Sequence, residues 1–248
     1  MTAMPPSSPD EPLQPQRFFA VVPAAGVGKR MGADRPKQYL VLRGRTLIEH
    51  TLERLCGFTP IERVIVALAA EDPYREGIAI LNSSRVLCCE GGAERCHTVH
   101  SALNSLAGIA ADSDWVLVHD VARPCVRVED LQRLLDRLQG HPVGGLLGVP
   151  VWDTMKRTAS DDQVIGTVDR QHLWRAYTPQ MFRYGVLRDA LSAVLARGEL
   201  VTDEAAAIEA AGLKPLLVEG AQDNIKVTRP EDLALAEFYM AQQEAGQS

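Results

Sequence analysis

The stretch Ala20-Val-Val-Pro-Ala-Ala-Gly-Val-Gly-Lys-Arg-Met-Gly-Ala-Asp-Arg-Pro-Lys-Gln-Tyr39 decides how the rest of the chain is read. Phe18 to Val22 form a short apolar run rich in β-formers, the signature of a buried strand. Small residues and three glycines, Gly26, Gly28 and Gly32, follow at once, with Lys29, Arg30, Arg35 and Lys37 inside or just beyond them. Glycine lets the backbone approach a ligand closely and turn successive N–H groups toward anionic oxygens. A strand that runs into such a loop is suited to holding a polyphosphate.

Two common phosphate loops do not fit. A Walker A loop ends in Lys-Ser/Thr, whereas Lys29 is followed by Arg30, which has no hydroxyl for a metal. The dinucleotide fingerprint Gly-x-Gly-x-x-Gly would put its third glycine at Met31. Taken alone, the loop also admits a plainer reading as a glycine-rich surface turn with solvated charges.

Outward from this loop, apolar strands alternate with amphipathic helices. Helices are predicted over Thr46–Cys56, Asp72–Leu81, about Glu94 to Leu106, and Leu131–Leu138. Strands are predicted over Ile61–Leu68, Arg85–Cys89 and Asp114–Val118. The alternation implies repeated βα units: an α/β, Rossmann-like, mostly parallel sheet flanked by helices. Ligands of such sheets bind beyond the carboxyl ends of the strands, where the glycine loop, Gly91-Gly92 and Asp120 would all fall. The rhythm breaks at Gly144. Gly145–Val151 reads as a strand, and Met155–Val168 as a β-hairpin turning at Ser160-Asp161-Asp162 and projecting from the core as an arm of about residues 153–170. Helices return over Tyr184–Arg197, Asp203–Ala211 and Pro230–Gln242, with a strand at Pro215–Glu219 and an extended piece at Asn224–Thr228.

The 248 residues fit one large domain, expected over 18–242, with disordered tails at 1–17 and 243–248. The first tail is proline-rich and has neither the basic start nor the apolar stretch of a signal peptide. A net charge of −6 argues against general nucleic-acid binding and makes the cationic loop a local feature. No apolar run reaches the ~20 residues needed to span a bilayer. The five cysteines contain no Cys-x-x-Cys pair and read as reduced thiols of a cytoplasmic protein. His97 and His100 share a helix face without a metal-ligand pattern.

Asp120, in Val118-His-Asp-Val-Ala-Arg-Pro124, closes a predicted strand beside the loop. That place suits Mg²⁺, which prefers carboxylates together with substrate phosphates; a capping or turn aspartate is the alternative.

The pattern Pro23-Ala-Ala-Gly-x-Gly-x-Arg-Met31 followed by Pro36-Lys-Gln-Tyr39 resembles the signature loop of sugar-type nucleotidyltransferases, and in particular of cytidylyltransferases acting on 2-C-methyl-D-erythritol 4-phosphate. Asp120-Val-Ala-Arg-Pro124 resembles that family's Asp-Ala-Ala-Arg-Pro, with Val121 in place of an alanine. Gly91-Gly-Ala-Glu-Arg-Cys-His-Thr-Val99 resembles its Gly-Gly-x-x-Arg-x-x-Ser-Val. Asp153-Thr-Met-Lys-Arg157, Thr167-Val-Asp-Arg170, Tyr177-Thr-Pro-Gln180, Thr202-Asp-Glu204 and Asp223-Asn-Ile-Lys-Val-Thr228 match further family segments in order. The likeness runs from about Phe18 to Met240.

The resemblance implies transfer of cytidylyl from CTP to methylerythritol phosphate, in isoprenoid precursor biosynthesis, with Mg²⁺ as cofactor and a homodimer as the working form. It implies that Arg30 and Lys37 stabilise the CTP phosphates and the pentacoordinate α-phosphate, joined by Lys226. Asp120 would help place Mg²⁺ and substrate. Ala24, Gly26, Gly28, Gly92, Arg95, Thr98 and Thr202 fall among the nucleotide- and substrate-binding positions. Arg170 would hold the methylerythritol phosphate, with Arg123, Thr154 and Thr178 as further contacts, some across a dimer interface. A cytidylyltransferase for another polyol phosphate, such as ribitol 5-phosphate, and a non-catalytic nucleotide-binding paralogue are the rival readings.

Overall fold

The computed structural model describes residues 16–26 and 35–246. The first fifteen residues of the expected tail, together with Gly28 and Arg30, lie outside the described residues.

The chain forms strands β1 (Phe18–Pro23), β2 (Val41–Leu42), β3 (Arg45–Thr46), β4 (Ile61–Leu68), β5 (Val86–Glu90), β6 (Trp115–Val118), β7 (Gly144–Pro150), β8 (Met155–Thr158), β9 (Val164–Val168), β10 (Trp174–Arg183) and β11 (Leu216–Glu219). The helices are α1 (Leu47–Gly57), α2 (Arg95–Asn104), α3 (Val128–Leu138), α4 (Tyr184–Ala196), α5 (Glu204–Ala210) and α6 (Pro230–Ala245). Seven strands make one sheet in the order β11-β7-β10-β6-β1-β4-β5. β1 pairs in parallel with β4 and with β6, and β4 with β5. The chain leaves β1 toward β4 and β5, then returns to β6 on its other side. That reversal at the carboxyl ends of β1 and β6 is where a doubly wound sheet opens a crevice.

Period-two alternation divides the core between the two faces. Ala20, Val22, Val64, Val66, Trp115 and Leu117 pack with Leu52 and Leu55 of α1 and with Leu131, Leu134 and Leu138 of α3. Phe19, Val21, Ile65, Val116 and Val118 pack on the opposite face with Val99 and Leu103 of α2 and Leu187 and Leu191 of α4. α1 starts where predicted, since the Glu49 carboxylate accepts from the Thr46 N–H at 2.8 Å and from its hydroxyl at 2.6 Å.

Four expectations need correction. Asp72–Leu81 is not an α-helix but two 3₁₀ turns, Arg75–Gly77 and Ala79–Asn82. Gly77 weakens a helix there, and the Asp72 carboxylate accepts from the Tyr74 N–H at 3.0 Å and the Tyr39 hydroxyl at 2.6 Å. β10 is a ten-residue strand where no strand was expected. It runs antiparallel to both β6 and β7 inside the otherwise parallel sheet. Pro179 sits in a register shift between Ala176 and Gln180, where the lost N–H costs no ladder bond. α6 continues to Ala245, into the expected 243–248 tail, because buried Gln243 donates to Cys125 O at 3.0 Å and Asp223 Oδ2 at 2.9 Å. Arg17, assigned to the first tail, is anchored: its guanidinium lies 2.7 Å from the Asp114 carboxylate.

The hairpin arm forms as expected, β8 pairing with β9 around Asp162, whose φ is +64°. It stands off the main sheet with Val164 and Ile165 61% and 63% exposed.

Candidate active site

A cleft of about 440 Å³ opens at the carboxyl ends of β1 and β6. It is lined by Ala24 and Gly26 after β1, by Lys37, by Gly92, Arg95 and Thr98 at the start of α2, by Asp120 after β6, and by Lys226. These eight positions were predicted from distant parts of the sequence, and the sheet topology gathers them.

Each wall has a local cause. The base of the glycine loop is tied by the Ala24 N–H donating to Ala67 O at 2.8 Å, and by the buried Gln38 amide donating to Ala24 O at 2.7 Å. Gly91 must lack a side chain, since a Cβ there would lie 2.5 Å from Ala25 Cβ. The Thr98 hydroxyl lies 3.1 Å from Gly92 O and 3.0 Å from Glu94 O, and it accepts from the Gly92 N–H at 3.1 Å. In this state it therefore shapes the Gly91-Gly92 turn. The Val227 N–H donates to Ala122 O at 2.8 Å, which brings Lys226 alongside Asp120.

Asp120 is the electrostatic centre. Its Oδ1 accepts from Arg95 Nε at 3.0 Å, and its Oδ2 lies 2.7 Å from Lys226 Nζ and 3.9 Å from Arg123 Nε. Burial alone would raise this carboxyl, but the charges of Arg95, Lys226 and Arg123 outweigh it and hold Asp120 well below the usual carboxylate range. Arg95 also donates to both oxygens of Glu204, at 2.7 and 3.0 Å. Burial works against the Arg95 charge, and the two carboxylates overcome it, holding the guanidinium above its ordinary range. Three cations thus share two carboxylates, an excess of positive charge that suits a polyanion.

Behind Asp120 the network is buried. The Asp120 N–H donates to the Thr178 hydroxyl at 3.1 Å, and that hydroxyl lies 2.9 Å from His119 Nδ1. His119 Nε2 faces Arg123 O at 3.0 Å and must donate to it, so Nδ1 is the acceptor and Thr178 the donor. Burial pushes His119 down to about 4 and keeps it neutral.

The remaining predicted residues lie elsewhere. Arg123 and Thr178 are buried beneath Asp120 and do not line the cleft; Arg123 NH1 donates to Asn224 O at 2.7 Å and its guanidinium sits 4.5 Å from the Tyr177 ring. Thr154 and Arg170 are exposed at the root of the arm, where Arg170 donates to Trp152 O. Thr202 is exposed, and the α5 cap is its neighbour Asp203, which accepts from the Ala206 N–H at 3.0 Å. Gln38, His119, Gln180 and Glu204 were not singled out. Gln38, Gln180 and Glu204 stand inside segments that match the family and His119 directly precedes Asp120, but nothing in their local sequence shows that their side chains turn inward.

Asp120 and Glu94 are the cleft's carboxylates, and among the described residues no three metal-ligating side chains come together. These donors fit a divalent cation carried in on phosphate oxygens, with Asp120 as the protein's contribution. Among the described residues, no helix is long and apolar enough to cross a membrane.

The crevice at a strand-order reversal, faced by a strand-to-loop turn and a cationic cluster, defines a nucleotide-binding α/β transferase of the nucleotidyltransferase type. Residues 18–242 match the family model described as 2-C-methyl-D-erythritol 4-phosphate cytidylyltransferase, and the chain belongs to that family. It is 56% identical over 217 residues to the cytidylyltransferase of that name from Pseudomonas putida, covering 87% of this chain and 92% of that one. It is 52% identical over 226 residues to the one from Vibrio vulnificus, covering 91% and 95%. The crystal structure of the Francisella tularensis enzyme superposes with a TM-score of 0.80 at 32% identity, covering 90% of this chain and all of that one. Nucleotidyltransferases of this family use a divalent cation.

Proposed function

We propose that this chain transfers the cytidylyl group of CTP to 2-C-methyl-D-erythritol 4-phosphate, releasing pyrophosphate, as a cytoplasmic enzyme of isoprenoid precursor synthesis. The observation that carries this reading is the meeting of Asp120, Arg95 and Lys226 across one cleft from the Ala24–Gly26 turn and Lys37.

A phosphate oxygen of the polyol substrate attacks the α-phosphorus of CTP, one P–O bond forms, and the bond to the β-phosphate oxygen breaks. The nucleophile is already anionic near neutral pH, so the reaction needs no strong base. Its barrier is the approach of one anion to another, which positioning and fixed cations lower. Lys37 and Lys226 serve as those cations, with Arg30 from the glycine loop. Ala24, Gly26, Gly28, Gly92 and Thr98 shape the nucleotide side, with Arg95 held on Asp120. Asp120 would be this chain's ligand for Mg²⁺, and the chemistry the cation would supply is neutralisation of charge on the phosphate oxygens.

Arg170 and Thr154 suit the methylerythritol phosphate if they reach a partner's cleft. The exposed Val164 and Ile165, with Trp152 65% exposed at the arm's root, support a homodimer built by this arm. Thr202, Arg123 and Thr178 are proposed as supporting contacts. Pyrophosphate release with CTP tests the reading, offering methylerythritol phosphate and ribitol 5-phosphate in turn. Preference for ribitol phosphate would change the substrate, and no release with either would leave a nucleotide-binding protein without turnover.

A further inference from the structure

Arg95 stands at the rim of the cleft between two carboxylates. Its Nε donates to Asp120 Oδ1 at 3.0 Å, while NH1 and NH2 donate to Glu204 Oε1 and Oε2 at 2.7 and 3.0 Å. The second Asp120 oxygen is left to Lys226, at 2.7 Å. A guanidinium presents its two-nitrogen edge to carboxylates and phosphates wherever it is free to do so. Released, Arg95 would turn that edge on Asp120 and crowd out Lys226, or on a triphosphate in the cleft. Glu204, 2% exposed and outside the cleft lining, occupies that edge.

We propose that Glu204 is a positioning residue for cytidylyl transfer: it grips the Arg95 fork from behind, so that Arg95 meets Asp120 through Nε alone and Asp120 keeps an oxygen for Lys226. The proposal rests on Asp120 and Lys226 belonging to the reacting site.

What holds Glu204 is equally specific. It is the first residue of α5, directly after the cap Asp203. Buried Gln180 fixes that start with both ends of its amide: Oε1 accepts from the Ala205 N–H at 2.8 Å, and Nε2 donates to Asp203 Oδ2 at 2.9 Å. Gln180 lies on β10 opposite Val118 of β6, the strand that delivers Asp120. One strand pair therefore supports both the carboxylate in the cleft and the carboxylate that acts on it through Arg95. This gives the antiparallel insertion of β10 a role in the site.

The test is steady-state kinetics on the full chain with CTP and methylerythritol phosphate. Glu204→Gln keeps the shape but sets an amide N–H against the Arg95 donors. It should lower kcat roughly 10- to 100-fold, the scale of a misplaced reacting group, without raising the KM for CTP. The double variant Glu204→Gln with Arg95→Met should be no slower than Arg95→Met alone, because the effect passes through Arg95. Wild-type kcat in Glu204→Gln, or losses that multiply in the double variant, would overturn the proposal. Should Glu204→Gln fail to fold, Gln180→Met decides: a lower kcat at unchanged KM supports it, and an unchanged kcat overturns it. A Lys226→Met variant with wild-type turnover would instead overturn the site assignment, whatever Glu204 does.

Discussion

Lys226 Nζ lies 2.7 Å from Asp120 Oδ2, a pair that joins the loop before the last helix to the end of a central strand. The lysine side chain is 36% exposed and the aspartate 10%. The ammonium is thus held on a buried carboxylate yet remains open to the cleft, where a phosphate oxygen can reach it.

If Lys37 and Lys226 stabilise charge that develops at the α-phosphate, Lys37→Met and Lys226→Met should each lower kcat, with KM changing less. Removing one preorganised electrostatic contact costs roughly 10²–10³-fold. Methionine keeps most of the side-chain bulk, so the loss reports charge rather than packing. Near wild-type kcat at saturating substrate in both variants would show that neither lysine acts on the transition state.

His119 makes stability depend on pH in a defined window. Burial lowers its pKa from 6.5 to about 4, so between those values the unfolded chain binds a proton that the native site refuses. Stability should therefore fall as pH drops from about 6.5 to about 4, by about 3 kcal/mol for this group, and be unaffected by it above that window. The depressed Asp120 carboxyl acts in a separate range: its contribution is present above the ordinary 3.8 and is lost only as pH falls further. Urea midpoints at pH 7 and pH 4.5 should differ less in His119→Gln than in the wild type. Equal pH sensitivity in the two would place the effect elsewhere.

Gln38 should matter more than a residue on a surface turn. Gln38→Leu leaves Ala24 O without its 2.7 Å donor in a buried place, a loss of ~1–3 kcal/mol. The melting temperature should fall and the KM for CTP should rise, because Ala24 forms one wall of the cleft. A melting shift with no change in KM would make Gln38 purely structural.

The arm predicts the assembly. Sedimentation should give about twice the chain mass of 27.1 kDa. Ile165→Asp, on a side chain 63% exposed in the single chain, should weaken that dimer and lower activity with it. A fully active monomer at micromolar concentration would exclude any contribution of Thr154 or Arg170 to a partner's cleft.

Much of the fold was readable in the chain because its signals are local. The apolar runs of β1, β4 and β6 and the helical spacing of Leu47, Ile48, Leu52 and Leu55 reflect which face each element buries, and burial leaves a period in the sequence. β10 escaped because Pro179 and the polar pair Thr178 and Gln180 break that period, and the sheet accommodates them in a register shift. The Asp72–Leu81 helix was overread because Ile78 and Leu81 recur at a spacing that 3₁₀ turns serve as well.

For the site, sequence by itself determined the chemical inventory: a glycine loop after a buried strand, Lys37, Asp120 at a strand end and Lys226 in a late segment, in an order that matches one family. Those features are legible because motif chemistry depends on residues close in the chain. Only the tertiary structure decided which charges meet. The sheet order puts β6 beside β1, β10 carries Gln180 to the start of α5, and Glu204 closes on Arg95. Each such pairing joins segments far apart in sequence, and a side chain's partner across that distance is set by strand order and burial, which no local pattern records.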